Sequence, residues 1–472
     1  MHRARRLAVA VTLVACAACR ASLPAPSTPL SATRADAFDD MPQSGPHRST
    51  HGPSTQQLRL NSGFPLHVLH VPGYPLSVGS LVTHAGTASR ECAGAIRTVT
   101  VEAWRDAMEA LDPGARLTAQ TQHDHVSISF AVDSAAPSRF AATIRRVLEA
   151  TPNAAAIDRA RRRAERAAAD GELGGAGTAV AVLNEWRTGE RRATTTRVLA
   201  VEDASVVRCL ATLRHPDHLT LAASGGLHGV ALQAELERSL SGWAPSAVRD
   251  QDKAPFTPPP LDPPLLVVNR DVESVAVAAR LAGPGASDGD YPAFAVLAHL
   301  FGQGGGSRMS EVLRGRLGLT YWAGSDIAVM RDASSLTVRT LVDATRLNEA
   351  LRGLDRAVAS MRKLTDGEIS AATVSLRERW LRAMERPALA ADEMASRARF
   401  GDDPGESLRM RLDALAALTP DAVRAVADRY FRRDEMPIVV VGHQRTVLTQ
   451  LQWSGRSYDL MDARYRRIRG GP

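Results

Sequence analysis

The sequence predicts an α+β protein with two homologous domains, each a mostly antiparallel sheet with helices packed on one face. A proline-rich stretch near the middle of the chain, "APFTPPPLDPP" (254–264), separates two pieces of nearly equal length. Both pieces end in a similar succession of helix, turn, apolar strand and glycine. The segment 118–132 alternates apolar and polar residues, as a strand with one buried face does. At 472 residues, the chain is long enough to bury a core in each half.

The first residues have the pattern of an export signal. Three arginines within the first six residues precede an apolar run, Leu7 to Ala15, that is too short to span a membrane. The run ends in Leu-Val-Ala-Cys, which resembles the bacterial lipobox, so residues 1–19 are the predicted lipoprotein signal peptide and Cys16 the predicted lipidation site. The alternative is ordinary signal-peptidase cleavage nearby, with export but no lipid. We expect a lipid-anchored protein of the bacterial cell envelope with periplasmic domains. The outer membrane is favoured and the inner membrane is the alternative; Ala17 merely lacks the acidic inner-membrane retention signal.

Composition divides the rest of the chain into four regions. Residues 20–55 are rich in Ser, Pro, Ala and His without periodicity and are predicted to be a disordered tether. An N-terminal domain is predicted for 56–245, a proline-rich linker for 246–264 and a C-terminal domain for 265–472.

The N-terminal domain contains two cysteines, Cys92 and Cys209. In an oxidising compartment they could pair, but two cysteines so far apart in sequence predict nothing by themselves. Unpaired, partly buried thiols are the favoured interpretation.

The two domains are interpreted as the product of a duplication. The segments 203–226 and 419–443 each contain a helix N-cap, an apolar-periodic helix, a short turn, an apolar strand and a glycine. At one constant offset the aligned pairs are Asp203 with Thr419, Val207 with Val423, and Gly226 with Gly442. The alternative is chance similarity between two units that both mix helix and strand.

The net charge of +7 does not indicate nucleic-acid binding. The basic residues are scattered, and no basic stripe with interleaved aromatic residues is present. We therefore expect no nucleic-acid partner. The sequence also has no Ser-His-Asp arrangement, nucleotide-binding glycine loop or Cys-x-x-Cys pair in a supporting context.

Histidine pairs give only a weak metal signal. In the segment 118–132, Val126, Ile128 and Phe130 form the predicted apolar face of a strand. The opposite, polar face contains His123, His125 and Ser127. No third ligand accompanies the two histidines, so the favoured interpretation is a solvated strand face. His215 and His218 bracket a helix-to-strand turn and are interpreted as turn residues.

The second half contains a glycine-rich motif, "HLFGQGGGSRMSEVLRGRLGLTYWAGSDI" (299–327). Its three consecutive glycines permit a sharp reversal, and Ser307 can cap a helix that Gly318 ends. The following "LTYWAG" is predicted to be a strand. Arg314 would then leave the last helical turn while Tyr321 lies just past the reversal, so both side chains could face one cleft.

This motif resembles the C-terminal-domain motif of the pitrilysin-type peptidases, or inverzincins, a family that includes the mitochondrial processing peptidases. The resemblance rests on "GGGSRMSEVLRGRLGLTY", and it extends over both halves and the linker. It implies two homologous domains that form a clamshell around an extended peptide. It also implies that Arg314 and Tyr321 hydrogen-bond the substrate backbone near the scissile carbonyl, a contribution of ~3 kcal/mol for one such donor. Without the resemblance, the two residues would be a solvated helix-end charge and a half-buried strand residue.

The zinc motif of that family, H-x-x-E-H, is absent. The resemblance places it on residues 97–101, where Arg97 and Val101 replace the two histidines and Thr100 replaces the glutamate. Arg has no lone pair to donate to zinc, so we expect no metal in this chain and zinc only in a partner subunit. The family's third ligand, a later glutamate, is not assigned between Glu165, Glu172 and Glu185.

Three functions are compatible with these features. The favoured hypothesis is a non-catalytic subunit that binds or positions peptides for a homologous, H-x-x-E-H-bearing partner in a proteolytic complex. The second is a peptide-binding or scaffold lipoprotein with no role in proteolysis. The third is an active metallopeptidase with an atypical metal site.

Overall fold

The computed structural model describes residues 55–83, 92–111, 116–122, 125–133, 137–243, 264–303, 306–330, 333–400, 404–462 and 467–468. The predicted signal peptide with Cys16, the tether up to residue 54 and the linker up to residue 263 lie outside the described residues. Both halves of the remaining chain belong to one compact unit, His51–Pro472. None of the described helices is long and apolar enough to cross a membrane.

The first half forms a six-stranded sheet with the order β1-β2-β6-β3-β5-β4. Only β2 and β6 pair in parallel; the other neighbours are antiparallel. The strands are β1 (Thr55–Arg59), β2 (Pro65–His70), β3 (Leu76–Thr83), β4 (Arg116–Thr121), β5 (Val126–Asp133) and β6 (Leu219–Gly225). The helices are α1 (Gly94–Leu111), α2 (Pro137–Glu149), α3 (Ala154–Leu173), α4 (Gly175–Thr188), α5 (Thr195–Leu199), α6 (Asp203–Leu213) and α7 (Gly229–Ser239).

The second half forms a seven-stranded sheet with the order β13-β12-β7-β11-β8-β10-β9. The strands are β7 (Leu265–Asn269), β8 (Val275–Pro284), β9 (Ala323–Val329), β10 (Ala333–Val342), β11 (Ile438–Gly442), β12 (Asp459–Met461) and β13 (Arg467–Ile468). The α-helices are α8 (Tyr291–Gly302), α9 (Leu347–Ser360), α10 (Asp366–Glu385), α11 (Pro387–Ala398), α12 (Pro404–Ala416), α13 (Pro420–Tyr430) and α14 (Gln444–Gln452). A π-helical segment covers Ser310–Arg316.

Five strands occur in the same spatial order in both sheets. The order β2-β6-β3-β5-β4 corresponds to β7-β11-β8-β10-β9, and the first pair of each series is parallel. The glycine correspondence read from a constant offset is wrong by one residue. Gly225, not Gly226, ends β6 and pairs with His70, just as Gly442 ends β11 and pairs with Asn269. The helices α6 (Asp203–Leu213) and α13 (Pro420–Tyr430) are related by the same offset of 217 residues as these glycines (420 − 203 = 442 − 225 = 217), so the offset read from the sequence is one residue too small throughout.

Each sheet packs its own helices on one face. In the first half, α1 buries Val101, Trp104 and Met108 in the apolar core between the first sheet and its helices. These three residues have the spacing of one helical face. The Trp104 indole Nε1 donates a hydrogen bond to the carbonyl of Val147 at 2.9 Å, which fixes α1 against α2. In the second half, α8, α9, α13 and α14 cover the corresponding face.

The opposite face of each sheet is covered by a helix from the other half. Helix α4 of the first half packs Ala179, Val182 and Leu183 onto the second sheet. Helix α11 of the second half packs on the first sheet, where Met394 and Ala390 join a cluster with Leu69, Val82 and Ala222. We call α4 and α11 the exchanged helices. They interlock the two halves, so the halves are not free to separate without exposing both clusters.

Polar contacts reinforce this exchange. Arg280 on β8 donates from Nη1 to the carbonyl of Leu183 at 2.8 Å, near the C-terminal end of α4. On the first sheet, Ser129 donates to a carboxylate oxygen of Asp392 on α11 at 2.7 Å.

The two cysteines are joined in a disulfide, so the expectation of unpaired, partly buried thiols is wrong. Cys92 immediately precedes α1, Cys209 lies within α6, and their Cα atoms are 4.7 Å apart. Both side chains are fully buried. The packing of α1 on α6 brings them together, and that packing is not visible in their sequence separation.

The segment 118–132 is a hairpin of β4 and β5 rather than one strand. Val126, Ile128 and Phe130 are buried, as the alternation predicts. His125 precedes β5 and is 8% exposed, so it is not on a solvated strand face; His123 lies outside the described residues.

Candidate functional site

The residues expected at the zinc position lie on the first two turns of α1, and only one of them faces a cavity. Thr100 is fully buried and donates its hydroxyl to the carbonyl of Ile96 at 2.8 Å. Val101 packs in the first-half core. Arg97 lines a cavity of about 350 Å³ between α1, the end of β4 and the exchanged helix α4.

Within this cavity, Arg97 forms a buried ion pair. Its Nη2 lies 2.7 Å from Oε1 of Glu190, and each side chain is only 9% exposed. The same carboxylate accepts the backbone N–H of Gly94, the first residue of α1. Gly94 has a φ of 54°, and a Cβ at this position would collide with the carbonyl of Arg191. The start of α1 and the loop after α4 are therefore fitted closely around this pair.

The sequence did not single out Glu190. It follows Gly189, which has a left-handed φ of 64° and ends α4, so the chain turns back toward α1 at this point. No local pattern distinguishes Glu190 from the other glutamates; the turn and the tertiary contact decide its role. Of the three glutamates proposed for the missing ligand, Glu185 lines this cavity. Glu165 lies on α3, and the Glu172 side chain is outside the described residues.

The donor set at this position does not fit a zinc ion. Glu190 accepts from Arg97, and the Glu185 carboxylate lies 3.4 Å from Arg192 Nη1 and 3.7 Å from Arg197 Nη1. Guanidinium groups cannot ligate a metal, and they occupy the carboxylates that could. Across the described ranges, no group of three or more His, Cys, Asp or Glu is placed to hold a metal ion. His215 and His218 are turn residues, as interpreted: a 3₁₀ turn, Pro216–His218, joins α6 to β6.

The second candidate set, Arg314 and Tyr321, is presented on the surface of the second half. Ser307 accepts a hydrogen bond from the N–H of Ser310 at 3.4 Å, so the predicted helix start is confirmed. The helix is π-helical, with the N–H of Leu317 donating to the carbonyl of Val312 at 3.1 Å. Leu317 is followed by Gly318, whose φ of 55° reverses the chain.

This reversal places the arginine beside the tyrosine. The Cζ of Arg314 lies 5.3 Å from the centre of the Tyr321 ring, within cation–π distance. Tyr321 is 87% exposed and precedes β9, which begins at Ala323. The prediction that "LTYWAG" forms a strand is therefore wrong for its first four residues, because the Gly318 turn and the exposed aromatic pair precede the sheet.

A neighbouring pair repeats the arrangement. Trp322 is 52% exposed, and the Cζ of Arg339 lies 5.5 Å from its ring centre. We call Arg314, Tyr321, Trp322 and Arg339 the Arg-aromatic patch. The sequence did not single out Trp322 or Arg339. Exposed aromatic rings beside guanidinium groups are typical of surfaces that bind other chains.

The Arg-aromatic patch and the cavity at Arg97 are separate features of this chain. The described residues that line the cavity all belong to the first half, and neither Arg314 nor Tyr321 is among them. The described residues therefore present an exposed Arg-Tyr pair on one half and a cavity lined by arginines and glutamates on the other.

Residues 202–375 match the family model described as the peptidase M16 inactive domain. No curated protein matches the sequence. Three solved structures are similar in fold. The peptidase M16 inactive domain from Pseudomonas fluorescens is 18% identical, with a TM-score of 0.71, covering 83% of this chain and 98% of that chain.

The other two are more distant in sequence. A protease from Helicobacter pylori is 12% identical, with a TM-score of 0.73, covering 83% of this chain and 100% of that one. A chain of complex III2 from Candida albicans is 13% identical, with a TM-score of 0.67, covering 84% of this chain and 100% of that one. At these identities the structural likeness concerns the fold.

The matched family model crosses the boundary between the halves and includes both Arg314 and Tyr321. The duplicated strand order and the loss of all three residues of the zinc motif agree with that match. Residues 202–375 are therefore similar to the peptidase M16 inactive domain, and the chain has the fold of the M16 structures while its sequence lacks the H-x-x-E-H motif.

Proposed function

We propose that this protein is a non-catalytic subunit that binds or positions peptides for a homologous partner carrying H-x-x-E-H and zinc. The observation that carries the proposal is the contrast between the two sites. The zinc position is filled by the Arg97–Glu190 ion pair, whereas Arg314 and Tyr321 lie side by side and are exposed. The first site has lost its chemistry; the second still presents hydrogen-bond donors to a peptide backbone.

The exchanged helices support the involvement of a second chain. Helix α4 covers one face of the second sheet, and α11 covers one face of the first. Separating the two halves would therefore expose the apolar clusters around both helices. A peptide chamber is then formed more readily between this chain and a partner than between its own halves. The similarity to a chain of complex III2, a multisubunit assembly, is consistent with an assembled role.

We further propose that the protein is exported and anchored through a lipid on Cys16 in the bacterial outer membrane, with its domains in the periplasm. The Cys92–Cys209 disulfide supports export, since structural disulfides persist in oxidising compartments. Radiolabelled palmitate should be incorporated into the native chain and not into Cys16→Ser, which should be recovered in the soluble periplasmic fraction. Lipid incorporation into Cys16→Ser, or its retention in membranes, would contradict the anchor.

The test of the subunit proposal is recovery of the tagged protein from solubilised envelopes, with mass spectrometry of the bound chains. A stoichiometric partner of similar size carrying H-x-x-E-H is expected. Peptidase activity of the reconstituted pair should fall about 100-fold for Arg314→Ala, in the range found for the loss of one oxyanion-type donor. Tyr321→Phe should also lose activity.

Arg316→Ala is the matched control, because Arg316 is exposed on the same π-helical segment and pairs with Glu311. It should leave the activity of the pair near the wild-type level. If no such partner is recovered under mild conditions, the second candidate, a peptide-binding scaffold without a role in proteolysis, takes its place. The exposed aromatic rings of the Arg-aromatic patch favour that candidate over an active metallopeptidase.

A further inference from the structure

A second cavity lies in the second half, at the place that corresponds to the Arg97 cavity. Its volume is about 270 Å³, and it is lined by residues of α8, α10, α11, α12 and β9. The matching strand order makes β9 the counterpart of β4, and α8 and the exchanged helix α11 occupy the places of α1 and α4. The same architectural position therefore holds an arginine–glutamate cluster in both halves.

The cluster in the second cavity carries more positive than negative charge. Glu393 on α11 accepts from two arginines: Arg397 Nε and Arg411 Nη2 each lie 3.1 Å from its Oε1. Arg397 is 9% exposed and Arg411 is 7% exposed. One carboxylate thus faces two nearly buried guanidinium groups. Arg379, which also lines the cavity, adds a third positive charge at a more exposed position.

The excess charge persists at neutral pH. Burial alone would raise the pKa of Glu393, but the two adjacent guanidinium groups lower it to about 2, so the carboxylate stays ionised. Arginine does not lose its proton in proteins at neutral pH. A single carboxylate therefore leaves one guanidinium charge of the pair uncompensated.

One donor of this cluster is also unsatisfied. The Nη1 atom of Arg411 is buried and has no hydrogen-bond partner in the part of the chain that the structure describes. A buried donor without an acceptor is costly, and a buried charged donor more so. An anionic oxygen in the cavity would provide both the missing acceptor and the missing charge.

The remaining walls are apolar and aromatic. Trp380 stacks against Arg411, whose Cζ lies 4.8 Å from the ring centre, and Tyr291 lies 5.7 Å from the Cζ of Arg397. The aliphatic lining residues are Leu376, Leu408, Ile327 and Val329. Such walls disfavour a hydrated inorganic anion and favour an anion that carries an apolar group.

We propose that this cavity binds a small organic carboxylate with an apolar side group, about the size of one hydrophobic amino acid. The carboxylate would lie against Arg411 and Arg397, and the apolar group against Trp380 and the aliphatic wall. The same chemistry is offered by a free acyl amino acid and by the C-terminal residue of a peptide.

Isothermal titration calorimetry on the full-length mature protein at pH 7.5 tests the proposal. The probes are N-acetyl-phenylalanine, its neutral amide, sodium acetate, inorganic phosphate, and a hexapeptide ending in phenylalanine with a free or an amidated C-terminus. N-acetyl-phenylalanine should bind at least tenfold more tightly than its amide and than acetate or phosphate. Binding of the free-acid hexapeptide would identify a peptide terminus as the source; binding of the acyl amino acid alone would identify a free metabolite.

Variants connect the binding to the cavity. Arg411→Gln should abolish the preference for the acid over the amide, whereas Arg409→Gln, an exposed arginine on the same helix, should leave it unchanged. If Arg411→Gln does not fold, Ala383→Leu replaces it as the test. Ala383 lines the cavity, so a leucine at this position would fill it and should abolish binding of the acid. The proposal is overturned if the acid and the amide bind equally, if neither binds, if phosphate or acetate binds as tightly, or if a folded Ala383→Leu binds like the wild type.

Discussion

At the scale of the residue, the decisive substitution is Arg97. A neutral imidazole donates a lone pair to a metal, whereas a guanidinium can only donate hydrogen bonds and carries a permanent charge. At the position where the family motif would hold a metal cation, the guanidinium group of Arg97 supplies the positive charge and pairs with the Glu190 carboxylate. The pair is structural: it closes the loop after α4 onto the N-terminal end of α1, where the Gly94 N–H shares the same carboxylate.

Removing one member of this pair should be costly. Arg97→Ala removes the guanidinium group from a carboxylate that is only 9% exposed, and we expect a loss of about 3–5 kcal/mol in the free energy of unfolding. Urea denaturation measures it. The double variant Arg97→Ala/Glu190→Gln is the control and should recover a large part of the loss, because a neutral amide then replaces the buried carboxylate. A loss below about 1 kcal/mol for Arg97→Ala would show that the pair is solvated.

A second prediction concerns Glu393 and pH. Its pKa lies at about 2 in the folded protein against an ordinary value of 4.5, so its stabilising effect is complete above pH 4.5 and is lost as the pH falls through 2. The side chain remains 35% exposed, which screens the interaction, so we expect about 1–2 kcal/mol of stability to be lost over this range.

The check is denaturant unfolding from pH 6 down to pH 2 in wild type and in Glu393→Gln. The variant lacks the titrating group, so its stability should fall less steeply with decreasing pH even though it starts lower. Parallel curves for the two proteins would contradict an ion pair in the Arg397–Glu393–Arg411 cluster.

At the scale of the element, the disulfide ties the start of α1 to the middle of α6. The two helices pack together on the first sheet, and the bridge joins cysteines that are 117 positions apart in sequence. Cross-linking residues so far apart reduces the conformational freedom of the unfolded chain more than it changes the folded one.

Replacing both cysteines by alanine should therefore lower the free energy of unfolding by about 2–5 kcal/mol, with little change in the folded structure. Non-reducing peptide mapping should find Cys92 linked to Cys209, and dithiothreitol should destabilise the wild type but not Cys92→Ala/Cys209→Ala. Recovery of the two peptides with free thiols from protein purified without reductant would refute the bridge.

At the scale of the whole molecule, the exchanged helices make the two halves mutually dependent. The α4 helix buries Ala179, Val182 and Leu183 on the second sheet, and α11 does the same for the first. Each half expressed alone would lack the cover of one sheet face and would expose its own exchanged helix.

Two fragments that omit the linker test this dependence. Residues 56–245 and 265–472 produced together should copurify as a 1:1 complex with the circular dichroism spectrum of the intact protein. Each fragment alone should aggregate or unfold several degrees below it. Two fragments that are monomeric, folded and without affinity for each other would contradict the interlocked arrangement.

The sequence by itself determined the fold class, the duplication, the loss of the zinc ligands and the presence of a helix start before Arg314. The fold class, the duplication and the helix start depend on period, capping and turn chemistry, which act over short stretches of sequence. The position of the lost zinc ligands comes from the family resemblance, which places the motif on residues 97–101. The sequence also predicted that Arg314 and Tyr321 lie near each other, because a short reversal joins them. The proposed boundaries and the lipid anchor on Cys16 stay predictions.

Only the tertiary structure decided the Cys92–Cys209 pairing, the exchange of α4 and α11, the Arg97–Glu190 pair and the cluster of Glu393 with Arg397 and Arg411. In most of these cases the partners lie far apart in sequence or on different elements, and no local pattern marks them. An arginine or glutamate on a helix has the same propensity whether it is solvated or buried. Which of them becomes a buried pair is fixed by the packing of the two halves on each other, since only that packing removes the water that would otherwise separate the charges.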